Sequence, residues 1–240
     1  MSGTLLHIGF DVLAWAAAAL SFIWLTRRAG VSFPPSRSYD LRYLAALMFG
    51  AGVGAVTFGT ANLWLSQRPG LARSIEGAVA GGILAVELYK RSAAITGRTG
   101  ARFALPFAVG VAVGRIGCFL AGLDDFTYGT PTALPWGTDF GDGVLRHPVQ
   151  LYESAAMAVF ALVYLLSALR GNAFVIENGF YLVVGFYGAQ RFAWEFIKPY
   201  GPLIGPFTLF HLLSAAILTY AACMIVTAPR PRIADDTAVA

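Results

Sequence analysis

The stretch FALPFAVGVAVGRIGCFLAGL, residues 103–123, decides how this sequence folds. Its one charged residue is Arg115. Its length matches the roughly 20 apolar residues that a helix needs to cross the hydrocarbon core of a bilayer. Because a backbone inside lipid must satisfy its hydrogen bonds internally, the stretch predicts a transmembrane helix.

Similar apolar segments continue on both sides of this helix. They bring the predicted spans to seven: Leu5–Leu25, Leu41–Leu65, Ser74–Tyr89, Phe103–Leu123, Leu151–Leu169, Phe180–Ile197 and Leu203–Val226. The 240 residues are 57% hydrophobic and only 12% charged, which excludes an ordinary soluble domain. The sequence therefore predicts an all-α integral membrane protein with about seven transmembrane helices. We expect one polytopic membrane domain over residues 1–227 and a short cytoplasmic tail over residues 228–240.

The basic residues are divided unevenly between the two sets of loops. Of the 17 lysines and arginines, eleven follow the first, third and fifth spans or lie in the tail, counting Arg42 at the very start of the second span with the loop before it. Four lie in the alternate loops, and two lie deeper within spans. Since Lys and Arg concentrate in cytoplasmic loops, this bias predicts an outside N-terminus and a cytoplasmic C-terminus in a plasma (inner) membrane. It also accounts for the net charge of +4, and we expect no nucleic-acid partner.

Charged residues inside the spans indicate a site in the outer leaflet. Arg115 lies in the fourth span, and Arg191 and Glu195 lie one turn apart in the sixth, with Tyr187 one turn earlier. Such charges are costly in lipid and need a partner. An Arg191–Glu195 ion pair is one explanation. Because one carboxylate cannot neutralise two guanidinium groups, we also expect an anionic ligand.

The longest outer loop, residues 124–150, ends in Arg146-His147-Pro148 immediately before an apolar helix. Proline is favoured at the first helical position. That register predicts His147 beside a helix N-terminus, where free N–H groups bind phosphate. An ordinary helix cap at the membrane surface is the alternative.

The small residues and Cys223 have structural explanations, whereas Cys118 lies inside a motif described below. Glycines in the second and third spans predict close helix packing, with backbone contact to a ligand as the alternative: Gly50, Gly52, Gly54, Gly59, Gly81 and Gly82. Cys118 and Cys223 both lie in apolar runs, with no disulfide framework and no metal-ligand spacing along the chain. We therefore predict no cofactor and no metal.

Several motifs of the C-terminal half occur in the order and spacing of a known family. They are GRIGCFLAG (residues 114–122), YGTPT (128–132), PWG (135–137), RHPVQLYES (146–154) and YGAQRFAWEF (187–196). Together, over residues 103–198, they resemble the phosphatidylglycerol–prolipoprotein diacylglyceryl transferases. That family transfers diacylglyceryl from phosphatidylglycerol to the lipobox cysteine of a prolipoprotein and releases glycerol-1-phosphate.

The resemblance implies roles for individual residues. Arg115 and Arg191 would hold the phosphate as catalytic residues, Glu195 would orient Arg191, and His147 would be the candidate general base. Further contacts to the lipid would come from Gly114, Gly117, Arg146 and Tyr187, with support from Gln150, Tyr152 and Glu153. The implied partners are the membrane, phosphatidylglycerol and a prolipoprotein or other acceptor, and the implied active site faces the outer leaflet.

The sequence departs from the family pattern at four positions. The signature GRxGNFxNGE has Cys118, Ala121 and Leu123 in place of its two asparagines and its glutamate, and the histidine of a His-Gly-Gly motif is Ala80. Groups expected to bind phosphate are kept, whereas groups expected to handle the nucleophile are lost. Two alternatives therefore remain beside prolipoprotein transfer. One is a related transferase with another acceptor, such as a small thiol, an amine or a lipid. The other is a non-catalytic phospholipid-binding protein.

Overall fold

The computed structural model of the chain describes residues 3–28, 31, 33 and 40–228. Within them the chain is mostly helical, with seven helices of 18 residues or more. In chain order they are α1 (Gly3–Arg27), α2 (Leu41–Leu65), α3 (Ile75–Ser92), α4 (Ala104–Ala121), α5 (Val149–Leu169), α6 (Ala173–Glu195) and α7 (Leu209–Val226). The predicted tail, except for Ala228, lies outside the described residues.

Five of the helices, α1, α2, α4, α5 and α7, are long and apolar enough to cross a membrane. Large apolar side chains stand exposed on them, for example Trp15, Leu20 and Phe49, which are 71%, 66% and 74% accessible. So large an exposed apolar surface is unfavourable in water, whereas it is favourable in contact with lipid. The chain is thus a multi-pass membrane protein. Helices α3 and α6 have similar lengths, but they carry more charged residues.

The predicted boundaries are close for the first five spans and wrong at the start of the last two. Helix α6 begins at Ala173 instead of Phe180, because the side chain of Asn172 caps it by accepting from the backbone N–H of Val175. Helix α7 begins at Leu209 instead of Leu203. The residues before it turn at Gly205, with φ +56°, and pair as two short antiparallel strands.

Two two-stranded ribbons therefore interrupt the all-α pattern. Strand β1 (Thr138–Asp139) pairs with β2 (Leu145–Arg146) in the long loop, and β3 (Pro202–Ile204) pairs with β4 (Phe207–Thr208) before α7. The sequence did not predict them, because pairs of two or three residues are too short to show an alternating pattern.

The glycines of α2 and α3 allow the two helices to touch through their backbones. A Cβ added at Gly54 would lie 2.2 Å from the carbonyl oxygen of Gly77, and one added at Gly81 would lie 2.2 Å from that of Gly50. The predicted close packing is confirmed at Gly50, Gly54 and Gly81. It is wrong for Gly52, whose Cβ would meet nothing within 4 Å.

A buried apolar core lies among α1, α4, α5, α6 and α7. Fully buried residues on three of these helices, Ala108, Met157 and Val183, are among its members. Near one end of the bundle the apolar core gives way to polar and charged side chains. The charged ones come from the starts of α3 and α5, from the C-terminal parts of α4 and α6, and from the segment after α6, while the start of α7 contributes hydroxyl groups.

Candidate active site

Arg191 lies at the centre of this charged end. Its Nε contacts Glu76 Oε2 at 3.1 Å, its Nη1 contacts Glu153 Oε1 at 2.5 Å, and its Nη2 contacts Glu195 Oε2 at 3.1 Å. All four side chains are almost completely buried. The predicted Arg191–Glu195 pair is therefore present, as one arm of a larger network.

Glu153 joins this network to the fourth helix. Besides Arg191, it contacts the Nε of Arg115 and lies 2.8 Å from the Nζ of Lys198. One buried carboxylate is thus shared by three cations, and it brings the two arginines of the sequence prediction into one cluster. Below, this set is called the charge cluster: Glu76, Arg115, Glu153, Arg191, Glu195 and Lys198.

Hydroxyl groups of α7 and its N-cap donate hydrogen bonds to the other two carboxylates, those of Glu76 and Glu195. Ser214 donates to Glu76 Oε1 at 2.5 Å, and Thr208 donates to Glu195 Oε1 at 2.8 Å. Thr208 is also the N-cap of α7, in a capping box with His211. The backbone N–H of Thr208 donates to the Nδ1 of His211, so this ring nitrogen already has a hydrogen-bond partner. Multiple hydrogen bonds of this kind are what allows charges to remain buried.

The sequence predicted that the two arginines need an anionic ligand to neutralise their charge, and the number of carboxylates in the cluster corrects this expectation. Three cations face three carboxylates, so the cluster is neutral when all six groups are ionised. The expectation failed because it counted only the carboxylate on α6, while Glu76 and Glu153 arrive from other helices. The charges are nevertheless unevenly placed. Arg191 contacts three carboxylates, whereas Arg115 and Lys198 share one.

Lys198 follows the last turn of α6 and is buried. Burial, and next the positive charge of Arg191, lower the pKa of Lys198 to about 8, although Glu153 opposes the shift. Its ammonium lies 5.6 Å from the ring centre of Tyr200, and burial raises the pKa of that phenol well above its ordinary value. Lys198 lies outside the helices, and its lowered pKa brings its loss of a proton closer to neutral pH than that of an ordinary lysine.

Gln150 and Tyr187 are fully buried on the helix faces of the cluster. Among the residues that the structure describes, the side-chain amide of Gln150 and the hydroxyl of Tyr187 have no hydrogen-bond partner. Gln150 lies one turn before Glu153 on α5, and Tyr187 lies one turn before Arg191 on α6. Since buried polar groups are nearly always hydrogen-bonded, these two are expected to meet a polar ligand or water.

The Arg146-His147 segment lies in the loop and is fixed by backbone pairing. Gly129 donates to the carbonyl of His147 at 2.9 Å, and His147 donates to that of Thr130 at 3.1 Å. A side chain at position 129 would collide with His147, which explains the glycine of the YGT motif. The ring Nδ1 of His147 lies 3.4 Å from the hydroxyl of Tyr152.

The structure adds three details for this segment. Pro148 is the N-cap of α5, so the helix begins one residue later than expected. Arg146 makes a bidentate ion pair with Asp142, both bonds 2.7 Å long, and the phosphate contact predicted for Arg146 stays a prediction. That hydrogen-bonded pair holds the pKa of Asp142 below its ordinary value. In the described part of the chain, the ring of His147 has Tyr152 as its hydrogen-bond partner, instead of Arg115 or Arg191.

The structure also places the residues of the GRIGC motif. Gly114 and Gly117 face α1, because a Cβ at Gly117 would lie 2.4 Å from that of Phe10 and one at Gly114 would lie 3.7 Å from that of Ala14. Both glycines therefore lie at the contact between α4 and α1, and the lipid contact predicted for them stays a prediction. Cys118 is buried, with its Sγ 3.7 Å from both the Nη1 of Arg115 and the Nε2 of His7.

Sequence reasoning missed Glu76 and Lys198 as members of the cluster. Glu76 is a charged residue inside a predicted span, and such a residue requires a partner because an unpaired charge in lipid is costly. Lys198 was counted only as one basic residue of an outer loop. A pairwise search for (i, i+4) partners cannot find them, because Glu76 lies 115 residues from Arg191.

Comparison with known proteins agrees with the motifs. A model of the family described as "Prolipoprotein diacylglyceryl transferase" matches residues 10–227. The phosphatidylglycerol–prolipoprotein diacylglyceryl transferase of Geobacter sulfurreducens is 30% identical over 92% of this chain and 90% of its own. That of Cupriavidus metallidurans is 29% identical over 94% and 92%. That of Cupriavidus necator is 41% identical, but over only 37% of this chain and 32% of its own.

No solved structure matches the chain. The family match spans nearly all of the described residues, including every helix of the charge cluster, and it agrees with the motifs that hold Arg115, His147, Arg191 and Glu195. The chain belongs to the prolipoprotein diacylglyceryl transferase family.

Proposed function

We propose that this protein transfers a diacylglyceryl group from phosphatidylglycerol to the lipobox cysteine of a prolipoprotein. The names of its relatives support the reaction. The observation that carries the proposal is the charge cluster, where Arg115 and Arg191 meet through Glu153. Unpaired polar groups of Gln150 and Tyr187 lie on the same helix faces, as expected for a site that receives a polar head group.

The two arginines have different roles in this proposal. Each guanidinium nitrogen of Arg191 contacts a carboxylate, so Arg191 acts mainly as a positioning residue. Arg115 and Lys198 share a single carboxylate and leave one positive charge in excess at their side of the cluster. We assign the phosphate of the lipid to that side, where the planar guanidinium of Arg115 provides two parallel donors.

The chemistry is a substitution at carbon. The thiolate of the acceptor forms a bond to the glyceryl carbon of phosphatidylglycerol, the carbon–oxygen bond to phosphate breaks, and glycerol-1-phosphate leaves with the electron pair. A fixed positive field stabilises this leaving group in a site that excludes water. The thiol proton needs a base, since an unperturbed thiol with a pKa near 8.5 is only a few per cent ionised at neutral pH. His147 is the proposed base.

The topology forms part of the proposal. All seven helices, including α3 and α6, would cross the membrane as one domain over residues 1–227, with the N-terminus outside and residues 228–240 in the cytoplasm. The charge cluster would then face the outer leaflet, because the starts of α3, α5 and α7 lie on that side. Reporter fusions should place residue 95 and the C-terminus in the cytoplasm and residue 140 outside. A cytoplasmic signal at residue 140 would overturn this orientation.

The activity is tested with purified full-length protein, phosphatidylglycerol and a lipobox peptide. Mass spectrometry should detect a thioether-linked diacylglyceryl peptide. Arg115→Ala and His147→Ala should abolish it, and Arg115→Lys should also lose most activity because lysine lacks the planar pair of donors. Arg170→Lys, at the exposed far end of α5, is the matched control and should keep full activity. Unchanged activity in Arg115→Ala would contradict the phosphate assignment.

A different acceptor is the second candidate, favoured by the residue at position 80. Ala80 lies one turn after Glu76 and packs against the apolar core, where the family pattern has a histidine. Prolipoprotein transfer predicts that Ala80→His raises the rate with the lipobox peptide. If the wild-type protein binds phosphatidylglycerol and modifies a small thiol, an amine or a lipid in place of the peptide, the different-acceptor proposal replaces it. Binding without any product would indicate a non-catalytic lipid-binding role.

A further inference from the structure

A second group of polar side chains lies where the start of α1 meets the end of α4. It contains a histidine, a cysteine and a carboxylate, namely His7, Cys118 and Asp125. One potential ligand atom from each lies within 4.8 Å of the other two. The proposed transfer reaction uses none of the three, and Cys118 is one of the positions where the sequence departs from the family pattern.

We propose that His7, Cys118 and Asp125 bind a divalent metal ion of the zinc class. The Nε2 of His7 lies 3.2 Å from Asp125 Oδ1 and 3.7 Å from Cys118 Sγ. For a tetrahedral ion with zinc bond lengths, neighbouring N and O ligands stand about 3.3 Å apart, and N and S ligands about 3.6 Å apart. The imidazole nitrogen therefore already stands at nearly the required separation from both other donor atoms, and the thiol and carboxylate donors lie within 4.8 Å of each other.

The ligand types favour zinc over the alkaline-earth ions. Calcium and magnesium select sites made of oxygen atoms. A thiolate and an imidazole with one carboxylate suit a borderline-soft ion, such as Zn²⁺ or its spectroscopic substitute Co²⁺. Three protein ligands also leave one coordination position open, as in zinc sites that bind water or a substrate.

Second partners orient two of the three ligands. Asp11 Oδ2 lies 3.3 Å from the Nδ1 of His7, one helical turn away on α1. With an ion bound, that contact would hold the ring hydrogen on Nδ1 and leave the lone pair of Nε2 for the metal. Thr127 donates to Asp125 Oδ2, which leaves Oδ1 facing His7. Carboxylate–histidine–metal arrangements of this kind are typical of protein metal sites.

The position of the group allows an ion to enter. The side chains of His7 and Asp125 are 24% and 16% accessible, and Cys118 lies beneath them. An ion there would also balance charge. A thiolate at Cys118 with carboxylates at Asp11 and Asp125 carries three negative charges, and Arg115, whose Nη1 lies 3.7 Å from the sulfur, is also paired with Glu153.

A metal-free explanation makes a different prediction. A protonated His7 between Asp11 and Asp125 would hold the same geometry without an ion, and Cys118 would then be a neutral thiol. The two explanations differ in whether sulfur is bonded to the ion, which spectroscopy measures directly.

The test uses the full chain, purified in detergent, stripped with a chelator and loaded with Co²⁺ or Zn²⁺. We expect one equivalent of metal per chain, with Co²⁺ giving a thiolate charge-transfer band in the near ultraviolet and visible bands typical of tetrahedral coordination. Cys118→Asn, which restores the usual residue of the family, should fold and lose the charge-transfer band. Asp11→Asn should weaken the metal affinity about 10- to 100-fold.

Cys223→Ser is the matched control, because Cys223 is exposed and far along the chain on α7. It should bind metal as the wild type does. Absence of bound metal in the wild type, or an unchanged cobalt spectrum in Cys118→Asn, would overturn the proposal. Metal content is measured without lipid or peptide, so its outcome is independent of the transferase assay.

Discussion

The charge cluster and the His147 loop lie near the same end of the protein, but their side chains are held in opposite ways. In the cluster, Arg191 contacts carboxylates 115 and 38 residues away, and all of these groups are buried. In the loop, Arg146 and His147 contact Asp142 and Tyr152, four and five residues away, at partly exposed sites. The cluster therefore joins distant parts of the fold, whereas the loop holds its side chains through local contacts.

The largest effect is expected for Glu153→Gln. This carboxylate touches Arg115, Arg191 and Lys198. Its loss leaves Arg115 and Lys198 with a neutral amide in place of the carboxylate that they share, while Arg191 keeps two other carboxylates. Removing one partner of a buried ion pair typically costs about 3–5 kcal/mol, and we expect the upper end here. Thermal unfolding in detergent should show a large fall in the melting midpoint together with loss of activity. An unchanged midpoint would mean that the cluster does not stabilise the fold.

Glu195→Gln should have a smaller effect of the same kind. The substituted amide still accepts the hydrogen bond of Thr208, but it removes one of three carboxylates from Arg191. We expect about 3 kcal/mol of lost stability and reduced activity through misorientation of Arg191. Glu177→Gln, at an exposed position of the same helix, is the control and should leave both unchanged. Equal behaviour of the two variants would contradict the comparison.

A moderate, pH-dependent effect is expected from Lys198. Its pKa of about 8 in the fold is lower than the ordinary 10.5. As the pH rises through 8 the cluster loses one positive charge, and binding of phosphatidylglycerol should weaken between pH 7 and pH 9. Stability should change in the opposite direction. Between pH 8 and 10.5 the unfolded chain binds more protons at this residue, so folding stability rises with pH.

Lipid binding is the quantity to measure for this prediction, because an acceptor thiol also ionises near pH 8.5. Lys198→Arg keeps its charge throughout the range and should bind lipid equally at both pH values. Wild-type binding that does not change with pH would show that Lys198 does not contribute to the phosphate site.

The smallest effect is expected for Asp142→Asn in the loop. The Arg146–Asp142 pair is partly exposed and adds little stability, as is usual for surface ion pairs. The melting midpoint should remain within the error of the measurement, while Arg146 becomes free to move. A midpoint as low as that of Glu195→Gln would show that the loop and the cluster are one structural unit.

Individual residues show which parts of the candidate site could be predicted from the sequence. Arg115, Arg191 and Glu195 were identified because charges in apolar segments are rare and require partners. Glu153 was named only as a supporting residue, yet it connects both arginines. The resemblance implied lipid contacts for the glycines of the GRIGC motif, and the structure adds that both face α1, which a motif by itself does not show.

Local signals placed most helices correctly and failed where a cap or a turn decided the boundary. Asn172 begins α6 seven residues early, and the turn at Gly205 delays α7 by six residues relative to their predicted starts. In both cases the hydropathy of the flanking residues was compatible with either boundary.

The sequence by itself determined the membrane class, the approximate spans and the family, because these depend on apolar runs and on motifs that are continuous along the chain. Only the tertiary structure decided which charges neutralise one another and which ligand atoms converge. Glu76 meets Arg191, and His7 meets Cys118 and Asp125, across more than 100 residues of chain. Helix packing brings such groups together, and the free energy of a buried charge depends on the final distances between them rather than on their spacing in the sequence.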